Sequence, residues 1–333
     1  MNERELDINR YMMQAHHPQV NSILVWENEK LSAELYYNGF DRESRHPIKS
    51  VVKSILSLAA GIATDEGLLD LEDPIYKYIP EFAEGRDMQH KRIKIEHLLS
   101  MTSGIFWQGG VHYHCPMMDA MRRSQRWIDY IADCEVKNIP GTFHNYKEWD
   151  VILLAAVLDK VCGDCYDYIR EKIYEPLEIT SERWYRSPDG VYYSVADGED
   201  TEKLSNLCGR DLMKIGVMLL NNGVYHGKTI VSEKYLKRAT TPGKCDPQYG
   251  FLFWINPDGF SMRGYGGQHV YVIPDQQRVI VTQATPTSRP MAYFDLLAFL
   301  SDREPVRQGQ TEFVSDSAGI CLPGQQEPGF HHL

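Results

Sequence analysis

Several things are missing from this chain of 333 residues, and each absence removes a class of task. No apolar run approaches the ~20 residues that cross a bilayer. The opening stretch, MNERELDINRYMMQAHHPQV, has no apolar core of the signal-peptide kind. Positive charge is scarce: 35 Lys and Arg against 46 Asp and Glu leave a formal charge of −11, and the basic residues form no stripe. A phosphate backbone wants the opposite sign, so no nucleic-acid partner is expected. Seven cysteines, an odd number, are scattered without a framework, as reduced thiols in a cytoplasm would be. There is no Gly-x-Ser-x-Gly elbow and no His-Glu-x-x-His, which sets aside two hydrolase designs. The expectation is a soluble cytoplasmic protein without a membrane partner. Nothing in the sequence speaks to its oligomeric state.

What is present is ordinary globular material, 43% hydrophobic and 24% charged. The stretch SILVWENEKLSAELYYN reads as two β runs, Ile23–Trp26 and Ala33–Tyr37. An apolar helix follows from Ser50 and ends at Gly67. IKIEHLLSMTSG suggests a short helix closing at Gly104, and residues 105–140 are irregular and aromatic, with one helix near Ser124–Cys134. YKEWDVILLAAVLDKVCG and CGRDLMKIGVMLLNNG are amphipathic helices, the first capped by Gly163. YGFLFWIN, GFSMRGYGG, HVYVIP and RVIVTQA are short β runs between turns, and MAYFDLLAFLSD is a last helix. Strands near both chain ends with helices between them predict an α/β (α+β) fold, one antiparallel sheet flanked by helices with a helical lobe inserted. The expected division is one domain over 1–304, a sheet lobe of about 1–104 and 205–304 with a helical lobe of about 105–204. A loosely ordered tail over 305–333 completes it.

Three suggestive motifs carry little chemistry. Cys162 and Cys165 in CGDC have redox spacing but no second pair and sit at a helix end, so they read as structural. His112, His114 and Cys115 offer no fourth ligand and read as a surface loop, and no metal or cofactor is implied. Gly223–Thr229 imitates a phosphate loop but follows a helix, where its amides cannot converge on a phosphate. It reads as a turn between elements.

IKSVVKSILSLAAGIATDEG raises a sharper question. From Val51 to Ala63 it is apolar nearly all round, which marks a buried helix, yet Lys53 sits in its first turn. Ser50 and Lys53 form the only Ser-x-x-Lys in the chain. At i and i+3 their side chains share a helix face. Burial favours neutral lysine, the condition for a general base, and the helix start favours developing negative charge. That is nucleophile, base and half of an oxyanion site within one turn. The same residues are equally satisfied by a serine N-cap and a lysine that reaches out to water.

The segments around it occur in a telling order: SVVKSILSLAAGIATDEGLLDLEDPIYKYIPEF, HLLSMTSGI, PGTFHNYKEWDVILLAAVLDKVCG, YGFLFWI and GYGGQHVYVIP. This series, over roughly Ser22 to Leu300, resembles the serine hydrolases related to class C β-lactamases and penicillin-binding proteins, most of all their esterase and amidase branch. The resemblance implies a β-lactamase/transpeptidase-like fold, with Ser50 as nucleophile and Lys53 as base. It places the tyrosine of a Tyr-x-Asn motif on Tyr146, counted from Pro140-Gly141-Thr142. The family's Lys-Thr-Gly strand motif falls on Tyr265, Gly266 and Gly267. The Gln268 amide then resembles the second oxyanion donor, and Trp107 resembles a residue bordering the pocket.

Two departures shape the reading. The family asparagine, a neutral group that bonds lysine and substrate, is replaced by Glu148. A carboxylate near Lys53 favours the ammonium by roughly 4 kcal/mol at 4 Å and an effective dielectric near 20, comparable to desolvation. Lys53 is then expected to stay charged and to lower the pKa of Tyr146, so that the phenol does the proton work. The alternative turns Glu148 outward and puts Asp150 or Asn145 in its place. The third motif has lost its lysine and threonine, the groups that hold the carboxylate of β-lactams and of peptide C-termini. Arg263, two residues before Tyr265 on the same strand face, is a candidate for a substrate anion or a structural salt bridge. The expected function is a serine hydrolase that cleaves a small ester or amide through an acyl-enzyme. The alternatives are a β-lactamase or penicillin-binding activity, and a weakly catalytic binding or sensor protein on the same scaffold.

Overall fold

The computed structural model describes residues 1–15, 17–83, 86–109, 115–193, 205–286 and 293–303. Helix α1 (Glu3–Ala15) leads into β1 (Val20–Glu27), β2 (Lys30–Tyr36) and the short β3 (Arg45–Pro47), and then into helix α2 (Val51–Asp65). Helices α3 (Ile95–Leu99), α4 (Pro116–Arg123), α5 (Trp127–Ala132), α6 (Glu148–Cys162) and α7 (Cys165–Ile169) follow, and α7 continues as a π-helical turn over Arg170–Tyr174. Next come the small strands β4 (Tyr185–Arg186), β5 (Tyr192–Tyr193) and β6 (Asn206–Cys208), helix α8 (Gly209–Leu220), the hairpin β7 (Val224–Tyr225) and β8 (Lys228–Thr229), and helix α9 (Glu233–Ala239). Strands β9 (Trp254–Asn256), β10 (Gly259–Gly264), β11 (Gln268–Ile273) and β12 (Arg278–Ala284) precede the last helix, α10 (Phe294–Leu300).

The main sheet has the order β2-β1-β12-β11-β10-β9 with antiparallel neighbours. Its centre joins the two ends of the sequence, Leu24 pairing with Val281 and Val281 with Val270. Alternation along each strand sends neighbouring side chains to opposite faces, and here both faces are buried. Ile23, Val25, Tyr271, Ile273 and Ile280 pack under Ile8 of α1 and Leu296, Leu297 and Leu300 of α10. Leu24, Val270, Val272, Val279 and Val281 face the larger core that contains α2, α6 and α8. The fold is the mixed helix and antiparallel sheet that the strand pattern predicts.

Two glycines bring helices unusually near their neighbours. A Cβ on Gly216 of α8 would overlap Val279 and come within 3.0 Å of Val270, and one on Gly61 of α2 would overlap the Tyr235 ring. The expected C-cap Gly163 closes α6 with φ +84. Gly223–Thr229 forms most of the β7–β8 hairpin. Helices α1, α4, α7 and α9 are additions to the sequence reading, which had no element at those places. The expected tail, His112 and His114 lie outside the described residues, and no helix among those described is long and apolar enough to cross a membrane.

Candidate functional site

Three segments converge at the start of α2. Ser50 occupies the N-cap position but makes no side-chain cap bond. It is preceded by Lys49 with φ +52, a left-handed conformation that costs a side chain of this kind of order 1–3 kcal/mol. The second segment is zipped along residues 100–102: Asn145 N–H donates to the Met101 carbonyl at 2.9 Å, Gly141 N–H to Thr102 at 2.8 Å, and His144 Nδ1 lies 3.0 Å from the Ser100 carbonyl. It delivers Tyr146, Lys147 and Glu148 to the N-terminus of α6. The third is the turn before β9, tied to the others by Leu252, whose N–H donates to Leu99 (2.9 Å) while its carbonyl accepts from Ser54 Oγ (2.6 Å).

The serine and lysine meet. Lys53 Nζ donates to Ser50 Oγ at 2.9 Å and to Glu148 Oε1 at 2.8 Å, and lies 5.1 Å from the centre of the Tyr146 ring. Lys53 is 1% exposed and Glu148 4%. A capping serine with a lysine reaching to water is therefore not what the chain builds. Glu148 does not turn outward either, and Asp150 is engaged elsewhere. It pairs with Lys147 Nζ at 3.2 Å and accepts from Ser103 Oγ at 2.5 Å. Lys147 also donates to the Asn145 carbonyl at 3.1 Å. The extended backbone at Lys147 (φ −156) lets successive side chains point apart. Glu148 thus reaches α2 while Lys147 reaches back to Asp150 and builds a second buried ion pair. Both acids stand in the first turn of α6, the end at which a helix dipole favours negative charge.

Burial alone would push the Lys53 ammonium down, but the Glu148 carboxylate and the Tyr146 phenol more than offset it, and the net shift is upward. Lys53 stays charged, as the carboxylate implied. Tyr146 departs from expectation. Lys53 does pull its phenol down, helped by Ser50, but burial is the larger effect and Glu148 adds to it, so the phenol is pushed up. Proximity to a cation does not make this tyrosine a phenolate.

Residues that pattern reading passed over frame the tyrosine. Tyr146 stacks on Trp254 at 5.7 Å and meets Tyr249 edge-on at 6.0 Å, and Tyr249 is buried. Trp254 opens β9 within the β run expected there, whereas Tyr249 falls in the turn before it; a turn that folds an aromatic back onto a distant segment leaves no periodic trace. Arg263 lies 5.2 Å from the centre of the Trp254 ring and 5.6 Å from that of Phe294. It donates to Ser261 at 2.9 Å and also to Asn256. Hydrogen bonds and ring faces are thus among its partners.

The end of β10 approaches Ser50 from the other side. A Cβ on Gly264 would overlap the Ile48 carbonyl and lie 3.0 Å from Gln268 Cβ and 3.1 Å from Lys49 Cβ. Gln268 therefore starts β11 beside the backbone that carries Ser50, while its side chain donates to the Ala284 carbonyl at 2.6 Å. Gly266 and Gly267 have φ +79 and +98 in the turn, and Tyr265, half-buried, precedes them. Trp107 is buried edge-on to Trp149 at 4.8 Å, next to Glu148 in sequence. Cys162 and Cys165 are free thiols, and Cys165 is buried, which pushes its pKa well up. Such a thiol is inert.

Comparison with known proteins places the chain by family and fold. The Beta-lactamase family matches residues 10–300. A Bacillus subtilis protein described as a penicillin-binding protein, PbpX, is 26% identical over 233 residues, which cover 65% of this chain and 55% of that one. The chain thus spans about half the length of that relative. The 6-aminohexanoate-dimer hydrolase of Paenarthrobacter ureafaciens is 23% identical over 289 residues, covering 78% of this chain and 71% of that one. Among solved structures, the D-stereospecific amidohydrolase from a Streptomyces species has the same fold. Its TM-score is 0.66 at 16% identity, covering 88% of this chain and 97% of that one. The chain belongs to the Beta-lactamase family.

Proposed function

We propose that this protein is a serine hydrolase that opens a small ester or amide through an acyl-enzyme on Ser50. The observation that carries the reading is the 2.9 Å contact between Ser50 Oγ and a lysine amine that is almost fully buried. Ser50 attacks the carbonyl carbon. The backbone amides of Ser50 and Gln268 receive the oxyanion, the former at a helix start where first-turn N–H groups lack intrahelical acceptors. Lys53, held as an ammonium, steadies the charge that develops on Oγ. Tyr146, kept protonated, supplies the proton that the leaving alkoxide or amine takes. Water then attacks the acyl-enzyme and the same groups act in reverse.

Tyr265, Gly266 and Gly267 provide no ammonium for a substrate carboxylate, which disfavours β-lactams and peptide C-termini. The relatives that act on amides support the ester or amide class. A fluorophosphonate probe tests the reading. Wild type should acquire one adduct on Ser50, found by peptide mass, and Ser50→Ala should acquire none. A folded wild type that stays unlabelled would favour the binding or sensor alternative.

A further inference from the structure

An ammonium cannot accept the proton that Ser50 must lose, so an acceptor is needed beyond Lys53. We propose that Glu148 is that acceptor, the end of a Ser50–Lys53–Glu148 relay, and hence a further positioned proton carrier of the acylation step. The proposal rests on the reading of Ser50 as the nucleophile. The geometry is continuous: Ser50 Oγ to Lys53 Nζ is 2.9 Å and Lys53 Nζ to Glu148 Oε1 is 2.8 Å. Nζ first passes a proton to Glu148, and the amine so formed then takes the hydroxyl proton as the bond between Oγ and the carbonyl carbon forms. Lysine begins and ends as an ammonium, and Glu148 ends as a carboxylic acid. Collapse of the tetrahedral species breaks the bond to the leaving group, which takes the Tyr146 proton. The phenol is restored through Lys53 from the Glu148 acid.

The neighbouring ion pair shows what a purely structural carboxylate looks like in this protein. Asp150 is bonded on both oxygens, Oδ1 by Ser103 Oγ, and Oδ2 by Lys147 and the Ser103 amide. Glu148 stands two residues earlier and is as well buried, yet its Oε2 has no partner among the described residues. A buried carboxylate oxygen left without a donor costs ~1–3 kcal/mol or more. A counter-ion alone gives no reason for leaving it so, whereas a proton carrier has use for an open lone pair. Tyr146 is the rival acceptor, but burial and Glu148 keep its phenol protonated. The titratable groups around Glu148 are Lys53 on α2, Tyr146 on the approach segment, the Lys147–Asp150 pair, Tyr249 from the turn before β9, and Asp246 with His144 behind it. Lys53 is the cation in direct contact with it.

The test is p-nitrophenyl acetate hydrolysis followed against pH in wild type, Glu148→Gln, Glu148→Asp and Glu148→Ala, each also scored for Ser50 labelling. Wild type should show an acidic limb. Glu148→Gln should lose at least ~100-fold in kcat near neutrality. Its limb should move up by more than one pH unit, since neutral lysine must then serve. Glu148→Asp should keep most of the activity, and formate should restore Glu148→Ala at least tenfold. An unchanged limb in Glu148→Gln without formate rescue of Glu148→Ala overturns the relay and leaves Ser50 in place. Absence of both labelling and turnover in wild type overturns the relay and the nucleophile together.

Discussion

Two lysines are buried in this site, and each has its own carboxylate. Lys147 is 1% exposed and Asp150 0%. Burial pushes the Lys147 ammonium down and the Asp150 carboxyl up, each resisted by the other charge. Such a pair gives little net stability, but removing one partner strands the other, at about 3–5 kcal/mol. Lys147→Met should therefore lower the free energy of urea unfolding by that amount, and Lys147→Met with Asp150→Leu should recover most of it. At this scale the sequence spoke clearly where chemistry depends on near neighbours. Ser50 and Lys53 lie one turn apart on one helix, so their shared face follows from period, though period did not decide between their contact and a lysine reaching to water. The partner of Glu148 followed from the motif order. The burial of Lys147 did not, because an alternating approach and a helix start must be combined before its direction appears. The ionisation of Tyr146 was misread because charge proximity was weighed and burial of the phenol was not.

At the scale of elements, the site depends on how closely β10 is pressed against the turn before α2. Gly264→Ala would drive its methyl into the Ile48 carbonyl, displacing Lys49 and Ser50. The rate of fluorophosphonate labelling should fall roughly tenfold, about 1.4 kcal/mol in the barrier, with a smaller loss of stability. Helix α8 offers a second test. An exposed glycine within a helix gains about 1 kcal/mol when replaced by alanine. At Gly216 the methyl would meet Val279, and overpacking costs ~1–3 kcal/mol. Overpacking wins, so Gly216→Ala should lower the urea midpoint. Helices α2, α6 and α8 were legible because an apolar face of helical period runs through each and glycines follow. Helix α1 was not. Ile8 is its single fully buried residue, and a helix that buries so little carries no strong stripe. The strand β9 is shorter than YGFLFWIN suggested, since Tyr249 and Leu252 serve in a turn, Leu252 with φ +60.

At the scale of the whole molecule, packing around histidines sets the response to acid. His46 in β3 and His97 in α3 are both pushed down to about 4 by burial, His97 further by the Lys94 cation. Their ordinary value is 6.5. As pH falls below 6.5 the unfolded chain takes up protons that the folded one refuses. The stabilising contribution is thus complete above 6.5 and is lost as pH falls toward 4. Urea midpoints should decline from pH 7 to pH 5, and His97→Asn should flatten that slope. A midpoint constant over the interval would contradict the shifts.

The central pairing of the sheet has a consequence for how the molecule comes into being. β1 leaves a ribosome long before one of its two partners, β12. Until then the hairpin of β1 and β2 offers an unmatched edge, and closing so wide a loop is slow. The nascent chain must carry that open border until Arg278–Ala284 has been made. Assembly of the corner around Ser50 should accordingly wait for the last strands of the sheet, and a chain stalled before Arg278 should be captured by holdase chaperones instead of settling into a smaller stable protein.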